Sequence, residues 1–390
     1  MRPDHFRGLY ALKLRTVESV ADIPADQWNA CANPAGFNPF VSHEFFKALE
    51  DSGSATDRTG WKAEHLVHET AKGEVGGIAP CYVKSHSQGE YVFDHGWAEA
   101  YHRAGGRYYP KLQTSVPFTP VTGPRLFSAN AETRALLAKG LVSVCKELKT
   151  SSAHITFLPE ADWAAADKAH WIQRQDIQFH WQNQGYKSFD DFLASLSSSK
   201  RKNIRKERKT VLEAGISFHW VTGKDLRESH WDAFFDFYME TGSRKWGSPY
   251  LTRKFFSLIS KSMGPHVLLI LARREGRIIA GALNFIGSEA LYGRNWGASE
   301  HHDFLHFETC YYQAIDFAIQ HKLARVEAGA QGQHKLARGY LPVKTYSLHH
   351  FAHPGLARAV GEYLEQERRA IDQDQALLAE HSPFRHETDD

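Results

Sequence analysis

The sequence has few cysteines, no long apolar run and almost no net charge. Its four cysteines are scattered over 390 residues and form no Cys-x-x-Cys pair. That spacing argues against a cysteine zinc site and favours free thiols in a reducing compartment. No segment approaches the roughly 18–20 apolar residues of a membrane span, and the first residues lack the apolar core of a signal peptide. We therefore expect a soluble, cytoplasmic protein without a membrane span.

Positive charge is concentrated in one stretch, although the formal net charge is only +2. A near-neutral chain does not suit a protein that coats nucleic acid, so any such contact must depend on a local patch. Seven of the ten residues from Lys200 to Lys209 are Lys or Arg. We expect a helix here, capped by Ser197 or Ser198 and ended by Gly215. Its expected cationic face is Lys202, Arg205, Lys206 and Lys209, and its expected apolar anchors are Leu196, Ile204, Val211 and Leu212.

Two common hydrolase motifs are absent. The sequence contains neither the Gly-x-Ser-x-Gly elbow of serine hydrolases nor the His-Glu-x-x-His helix of zinc proteases. His302 and His306 do have the spacing of two metal ligands on one helical turn. Surface or structural histidines explain that spacing better in a chain with 23 histidines, because a lone pair is unspecific. We predict no metal site.

The second half of the chain predicts an ordered series of elements. Aromatic residues at helical spacing follow the expected cap Ser229, and a second short helix runs from the cap Thr252 to Gly264. Two apolar strands then meet at a polar turn over residues 274–276, and "EALYGRNWGA" predicts a third strand. The series continues with the helix "DFLHFETCYYQAIDFAIQHK", the strand "ARVEAG", a basic loop, the strand "TYSLHHFA" and a C-terminal helix from Pro354.

The first half shows a weaker version of the same plan. "HLVHETAKGEVGGIAPCYVKS" predicts two strands around a polar turn, and "EYVFDHGW" predicts a third strand. "AETRALLAKGLVSVCKEL" and "AHITFLP" then predict a helix and a strand. Two copies also suit a length of 390 residues, which is long for one core. With a boundary near residues 160–185, we predict domains over residues 1–170 and 171–390.

This order of elements resembles the acyltransferase fold called GNAT. Two copies in tandem, the second opened by a basic helix, resemble the Fem-type peptidoglycan aminoacyltransferases, and within them the bacterial FemAB-like N-acyltransferases. The resemblance implies an α/β (α+β) fold of two tandem GNAT-like domains, each a mixed, mostly antiparallel sheet flanked by helices. The segments that carry it are "SSSKRKNIRKERKTVLEAGI", "ETGSRKWGSPYLTRKFF", "GRNWG", "HFETCYYQAIDFAIQHKLARVEAGAQGQHKLARGYLP" and "TYSLHHF".

The resemblance also implies an enzyme that transfers an acyl group to an amine. Fem-type enzymes move an aminoacyl group from tRNA to an amine of a cell-wall precursor. Ordinary GNAT enzymes bind the coenzyme A pyrophosphate at a Q/R-x-x-G-x-G/A loop that opens a helix. The equivalent segment here, "GASEHHDFLHFE", lacks that loop and carries Glu300 and Asp303, which oppose a pyrophosphate. We expect no tightly bound cofactor and leave acyl-CoA and aminoacyl-tRNA open as donors.

The loop after the strand "ARVEAG" contains the main catalytic candidates. In a GNAT-like fold this loop lies where the sheet opens into the site. Histidine titrates near neutral pH, which suits His334 as a general base, while Lys335 and Arg338 have the spacing to bind phosphate or carboxylate. Glu327 is the second candidate base, or it orients His334. The alternative is a solvated basic turn with Glu327 in a surface salt bridge, and the family resemblance favours the site.

Two neighbouring segments add candidates. Glu308 lies in an aromatic helix, either on the solvent face or in the cleft beside Arg294 or Lys335, where it is a third catalytic candidate. In "GRNWG" we expect Arg294, Asn295 and Trp296 to bind substrate, since flanking glycines permit a close backbone approach. Core packing of Trp296 is the alternative.

Other cations of the second half predict a phosphate-bearing substrate. "SRKWGSPY" places Arg244, Lys245 and Trp246 after a helix, where they either bind a stacked base and its phosphate or only end the helix. The basic helix then forms a wall of the substrate site, which makes tRNA a candidate partner. The rival hypothesis is an RNA- or phosphate-binding module without catalysis. The residues assigned to the wall are Lys200, Arg201, Lys202, Arg205 and Lys206.

Overall fold

The computed structural model describes residues 13–246, 249–329 and 332–385, except the side chains at positions 13, 243–246 and 333. Strands and helices follow one another in runs along this part of the chain, as the sequence predicts. The strands are β1 (Lys13–Val17), β2 (Trp61–Ala63), β3 (His65–Glu69), β4 (Val75–Ala79), β5 (Cys81–Lys84), β6 (Lys111–Thr114), β7 (Ser152–Leu158), β8 (Ile172–Gln182), β9 (Ile216–Thr222), β10 (Val267–Arg274), β11 (Arg277–Ile286), β12 (Ala290–Ala298), β13 (Arg325–Glu327) and β14 (Tyr340–Phe351).

The helices of the described residues are mostly short, and none is long and apolar enough to cross a bilayer. A π-helical segment, Glu308–Tyr312, interrupts the helix predicted over residues 303–322. The α-helices are α1 (Ala25–Ala32), α2 (His43–Asp51), α3 (His95–Arg103), α4 (Ala131–Glu147), α5 (Glu160–Ala164), α6 (Phe189–Ser195), α7 (Ser198–Glu213), α8 (Glu228–Trp246), α9 (Arg253–Met263), α10 (Leu305–Phe307), α11 (Gln313–Gln320) and α12 (Pro354–Glu380).

Contacts divide the chain into two compact units. Unit 1 comprises Met1–Asp176 and Thr345–Ile371, and unit 2 comprises Ile177–Lys344 and Asp372–Asp390. These limits differ from the predicted domains. The prediction places the strand "TYSLHHFA" in the C-terminal domain, whereas the structure places it in unit 1. In the structure β14 pairs with β7 of unit 1, antiparallel, from Tyr346 to Phe351. Residue pattern predicts a strand but does not specify which sheet it joins.

Unit 1 contains a three-stranded sheet, β1–β3–β4, and a second sheet in the order β2–β5–β6–β7–β14. β6 and β7 run parallel, and α4 connects them across one apolar face of the sheet. The predicted strand "EYVFDHGW" is wrong, because Glu90 and Asp94 turn inward to bind the buried ammonium of Lys111. These ion pairs fix the segment before α3 without strand pairing.

Unit 2 contains the sheet β8–β13–β12–β11–β10–β9. The hairpin β10–β11 and the third strand β12 confirm the predicted series. The caps Thr252 and Gly264 of α9 are also confirmed, whereas α8 begins at Glu228, so the predicted cap Ser229 lies inside it. The core gathers aromatic and aliphatic residues of β8, α6, α7 and the helical segment over residues 305–320.

One parallel pair in an otherwise antiparallel sheet is common to both units. In unit 2 this pair is β12–β13, connected by α10, the π-helical segment and α11, and it spans only Ala290–Tyr292 against Arg325–Glu327. β13 ends there, while β12 continues to Ala298 along β11. The sheet therefore opens beyond Tyr292 and Glu327. The region where the continuing β12, the π-helical segment and the turn at residues 332–338 meet is called the sheet opening.

Candidate active site

Lys335 lies at the sheet opening with its ammonium turned into the protein. Its side chain is buried, at 2% exposure, and Nζ donates to the carbonyl oxygens of Ala328, at 2.7 Å, and Gly329, at 3.0 Å. Burial lowers the pKa of Lys335 to about 8; Cys310 opposes that shift and Arg294 adds to it. A lysine held this way can supply a positive charge or a neutral amine near pH 8.

His334 lies beside Lys335 and is exposed. Its Nε2 is 2.9 Å from the hydroxyl of Tyr311, which belongs to the π-helical segment. Burial raises the pKa of Tyr311, so this hydroxyl stays protonated at neutral pH, and its oxygen can accept from Nε2–H in the tautomer that carries the acceptor lone pair on Nδ1. The ring also lies 5.8 Å from that of Phe307 and 6.3 Å from that of His306. An exposed imidazole in a fixed position is a suitable proton acceptor.

Within the described residues no hydrogen bond or ion pair joins Glu327 to His334. Glu327 is buried at 4% exposure at the end of β13, where Oε1 accepts from Arg325 Nε at 2.9 Å. Oε2 is 3.9 Å from His180 Nε2 and has no hydrogen-bond partner among the described residues. The orienting contact that one alternative gave to Glu327 is thus made by Tyr311, and the salt bridge that the other alternative put at the surface is buried.

Glu308 is buried at 1% exposure, which excludes the first of the two alternatives, a position on the solvent face. Its cation is Arg208 of α7, which binds both carboxylate oxygens at 2.9 and 3.1 Å, rather than Arg294 or Lys335. Arg208 also binds Asp316 at 2.8 Å. Burial raises the pKa of Glu308, while Arg208 opposes that shift.

Arg338 is buried at 8% exposure, although it was predicted to bind substrate phosphate. Its guanidinium donates to Glu207 Oε1 and to the backbone oxygen of His334, both at 2.8 Å, and lies 3.4 Å above the ring of Phe307. The cation is therefore engaged inside the protein, where it fixes the turn that carries His334.

β12 brings the "GRNWG" residues along the sheet opening. Arg294, Asn295 and Trp296 are partly exposed, and the Trp296 ring lies 5.0 Å from that of His306. Trp296 also packs against the core, as the alternative reading expected. Gly297 permits a close approach of α8 rather than of substrate. A Cβ added at this position would lie 2.4 Å from the backbone oxygen of Phe237 on α8.

The basic helix α7 forms as predicted, from Ser198 to Glu213, with Ser197 at the N-cap position. Ile204 and Val211 anchor it, whereas Leu212 is 59% exposed and is not an anchor. Lys200 and Arg201 are partly buried. The outward face, which we call the cationic face, consists of Lys202, Arg205, Lys206 and Lys209.

A groove of about 550 Å³ runs between α6 and α7 beside this face. Arg205 on its rim binds Asp190 at 3.0 Å, and Lys209 lies 3.5 Å from Glu213. Lys202 and Lys206 lie along the same exposed helix face. The side chains of Arg244, Lys245 and Trp246 lie outside the described residues, so their predicted role stays a prediction.

Sequence reasoning missed Tyr311, Glu207 and Arg208 as parts of the site. Glu207 is the one acidic residue in the cationic run, which was the available signal for an inward contact. Arg208 was indistinguishable from its basic neighbours. No group of three or more His, Cys, Asp or Glu side chains that could hold a metal occurs within the described ranges.

The sequence model of the FemAB-like family, described as peptidoglycan biosynthesis/recognition, matches residues 19–386. Among solved structures the chain is similar to FemX, at 12% identity and a TM-score of 0.55 over 90% of this chain and 100% of that one. It is also similar to L-PGS from Bacillus licheniformis, at 10% identity and 0.50 over 84% and 97%. A protein of unknown function from Bacteroides thetaiotaomicron gives 11% identity and 0.50 over 87% and 100%. None of the curated proteins matches.

At these identities the solved structures establish the fold alone. They confirm the predicted α/β class, with mixed, mostly antiparallel sheets flanked by helices. The family match confirms the predicted enzyme class, an acyltransferase. Because that match covers nearly the whole chain, the protein belongs to the FemAB-like family of peptidoglycan biosynthesis/recognition.

Proposed function

We propose that the protein transfers an acyl or aminoacyl group to an amine of a small or cell-wall-related acceptor, in the sheet opening of unit 2. The observation that carries the proposal is the proximity of Lys335, a buried cation, and His334, an exposed imidazole bonded to Tyr311. The two groups offer the charge and the proton acceptor that acyl transfer to an amine requires.

The proposed reaction is direct. The acceptor amine attacks the acyl carbonyl, a C–N bond forms, and the carbonyl oxygen becomes an oxyanion. Protonated Lys335 stabilises that oxyanion, and His334 accepts the proton released by the attacking nitrogen. Collapse of the tetrahedral intermediate breaks the ester or thioester bond to the donor. The departing hydroxyl or thiol then takes up the proton that His334 holds.

The cationic face of α7 supports a donor that carries phosphates. Lys202 and Lys206 are exposed there and point away from the core. The segment equivalent to the pyrophosphate loop of GNAT enzymes carries Glu300, which binds His302 at 2.8 Å and Arg274 at 3.4 Å. A carboxylate at that place disfavours acyl-CoA, so we favour aminoacyl-tRNA. Both donors are cytoplasmic metabolites, and we place the enzyme in the cytoplasm.

A second candidate function is an RNA- or phosphate-binding module without catalysis. The exposed cations of α7 favour it, since they need no reaction to bind phosphate. The two functions differ at the turn over residues 332–338, because a binding module has no use for a fixed imidazole beside a buried ammonium.

The deciding experiment offers the protein labelled acetyl-CoA or a pool of labelled aminoacyl-tRNA, with bacterial metabolites and a cell-wall precursor fraction as acceptors. We expect a mass increase on an acceptor amine with aminoacyl-tRNA. His334→Gln and Lys335→Met should each reduce transfer by about 100-fold or more while tRNA affinity stays unchanged. The matched control is Asp232→Asn, which removes an exposed ion pair between α8 and Arg253 of α9 and should retain activity.

Two results would defeat the proposal. The first is no transfer from either donor by protein that still binds tRNA, which would leave the binding module. The second is undiminished transfer by both His334→Gln and Lys335→Met, which would move the chemistry away from the sheet opening.

A further inference from the structure

Two adjacent residues of α7 turn inward, although their neighbours form the cationic face. Glu207 and Arg208 carry opposite charges, and their side chains are only 14% and 22% exposed. The nearby side chains of Arg205 and Lys209 are 58% and 73% exposed. One turn of the helix therefore presents cations outward and an acid–base pair inward.

Glu207 reaches the turn that carries His334. Its Oε1 accepts from Arg338 Nη2 at 2.8 Å, and its Oε2 accepts from the hydroxyl of Tyr312. Arg338 in turn donates from Nη1 to the backbone oxygen of His334 at 2.8 Å. A continuous series of charge-assisted bonds thus leads from α7 to the backbone of the proposed base.

Arg208 reaches the other side of the same site. It binds both oxygens of Glu308, the first residue of the π-helical segment, and its guanidinium lies 4.2 Å from the ring of Phe189. Gln313 also donates to Glu308 Oε1, at 2.8 Å. The π-helical segment carries Tyr311, whose hydroxyl is bonded to His334.

Both partners of the Tyr311–His334 bond are therefore fixed to one helix turn. Glu207 holds the His334 backbone through Arg338, and Arg208 holds the Tyr311 segment through Glu308. Buried charge pairs with several bonds have narrow geometric tolerance, because each leaves an uncompensated charge when it breaks. A shift of α7 would alter the distance between the tyrosine hydroxyl and the imidazole.

We propose that Glu207 and Arg338 are positioning residues that set His334 against Tyr311 and couple the site to phosphates bound on the cationic face. The coupling rests on the proposed function, since it requires a phosphate-bearing donor on α7. The positioning does not depend on it. A displacement of about 1 Å at a reacting group can cost as much as 100-fold in rate, so such a contact can control turnover without touching substrate.

Hydrogen exchange of the full chain tests the positioning without any assay of activity. In Glu207→Gln we expect backbone amides of residues 308–312 and 334–340 to exchange about tenfold faster than in wild type, while β10 amides stay unchanged. The charge-reversed pair Glu207→Arg with Arg338→Glu should not restore slow exchange, because a carboxylate at position 338 cannot donate to the backbone oxygen of His334. Unchanged exchange in Glu207→Gln, or equal acceleration throughout unit 2, would overturn the proposal.

Bulk bacterial tRNA tests the coupling. It should slow exchange at residues 334–340 in wild type and in the Asp232→Asn control but not in Glu207→Gln, with similar affinity for all three. In turnover, Glu207→Gln should lower kcat about tenfold or more with little change in KM for the donor. Slowed exchange in Glu207→Gln, or a change in KM alone, contradicts the coupling. If wild type transfers from no donor, the proposed function fails and the exchange of the free variants still decides the positioning.

Discussion

Lys335 is a cation that the fold holds with neutral acceptors. Its ammonium donates to two backbone oxygens, and burial lowers its pKa to about 8. An exposed lysine keeps its proton to a pH of about 10.4. The folded protein therefore loses this proton at a lower pH than the unfolded chain does. As a result, the free energy of unfolding changes with pH in the alkaline range.

We predict that wild type gains stability relative to Lys335→Met as the pH rises. Between pH 8 and about 10.4 the unfolded chain binds a proton that the folded protein has released, so the free energy of unfolding increases with pH. The variant has no such group. The difference between the two should grow by about 1–3 kcal/mol across this window. Urea unfolding at pH 7.5 and pH 10 measures it, and parallel values for the two proteins would show that Lys335 is protonated in both states.

The residues around Lys335 show what a sequence motif specifies. "AGAQGQHKLARGY" predicts that His334 and Lys335 lie together, and the structure brings both to the sheet opening. It does not predict Tyr311, because the π-helical segment inserts an extra residue and turns the helix face from that point. Nor does the motif show that Arg338 binds a carboxylate of the protein rather than a substrate phosphate. That carboxylate belongs to Glu207, which lies 131 positions away along the chain.

At the scale of elements, α7 combines two opposite requirements. Its cationic face keeps like charges in water, whereas Arg208 is fixed between Glu308 and Asp316. Repulsion among the exposed cations disfavours the helix, by a few tenths of a kcal/mol per close pair. The inward ion pairs, with Ile204 and Val211, hold α7 against the rest of unit 2. The density of positive charge in the sequence thus includes one cation with a structural role.

We predict that Arg208→Ala destabilises the protein far more than Lys209→Ala does. Loss of Arg208 leaves the carboxylate of Glu308 buried without its cation, which should cost about 3 kcal/mol. Lys209 has only an exposed contact with Glu213, at 3.5 Å, so its loss should cost less than about 0.5 kcal/mol. The two variants remove neighbouring cations from one helix and are matched in charge. Chemical denaturation compares them, and similar losses would contradict the buried role of Arg208.

The spacing of apolar residues predicts the strands and helices of unit 2, but a similar spacing in unit 1 predicts a strand that does not form. The hairpin β10–β11 has two largely apolar strands around a two-residue turn, which identifies it from sequence alone. "EYVFDHGW" has a similar pattern yet forms no strand, because the partner of Glu90 and Asp94 is Lys111 on β6. Ion pairs with a residue distant in the chain can determine the structure of a segment whose own residues favour a strand. The sequence of the segment does not indicate that such a partner exists.

At the scale of the whole molecule, the repeated plan is visible in both units. Each has one parallel strand pair, connected by a helix, within antiparallel neighbours. The chain order of the strands does not match the units, since β14 joins unit 1 after the chain has built the sheet of unit 2. Sequence therefore predicted two copies of one fold, but not the discontinuous course of the chain.

The net charge of the whole chain is only +2, although α7 carries a cationic face. The salt dependence of tRNA binding shows whether the binding depends on this face or on the total charge. We predict that Lys202→Gln with Lys206→Gln lowers the slope of log affinity for bulk tRNA against log salt by about 1–2, because fewer counterions are released. The control Lys224→Gln with Arg227→Gln removes the same two charges from exposed positions elsewhere in unit 2 and should leave the slope unchanged. Binding measured at four salt concentrations gives both slopes. Equal slopes for the two double variants would mean that tRNA responds to total charge, and that α7 is not its site.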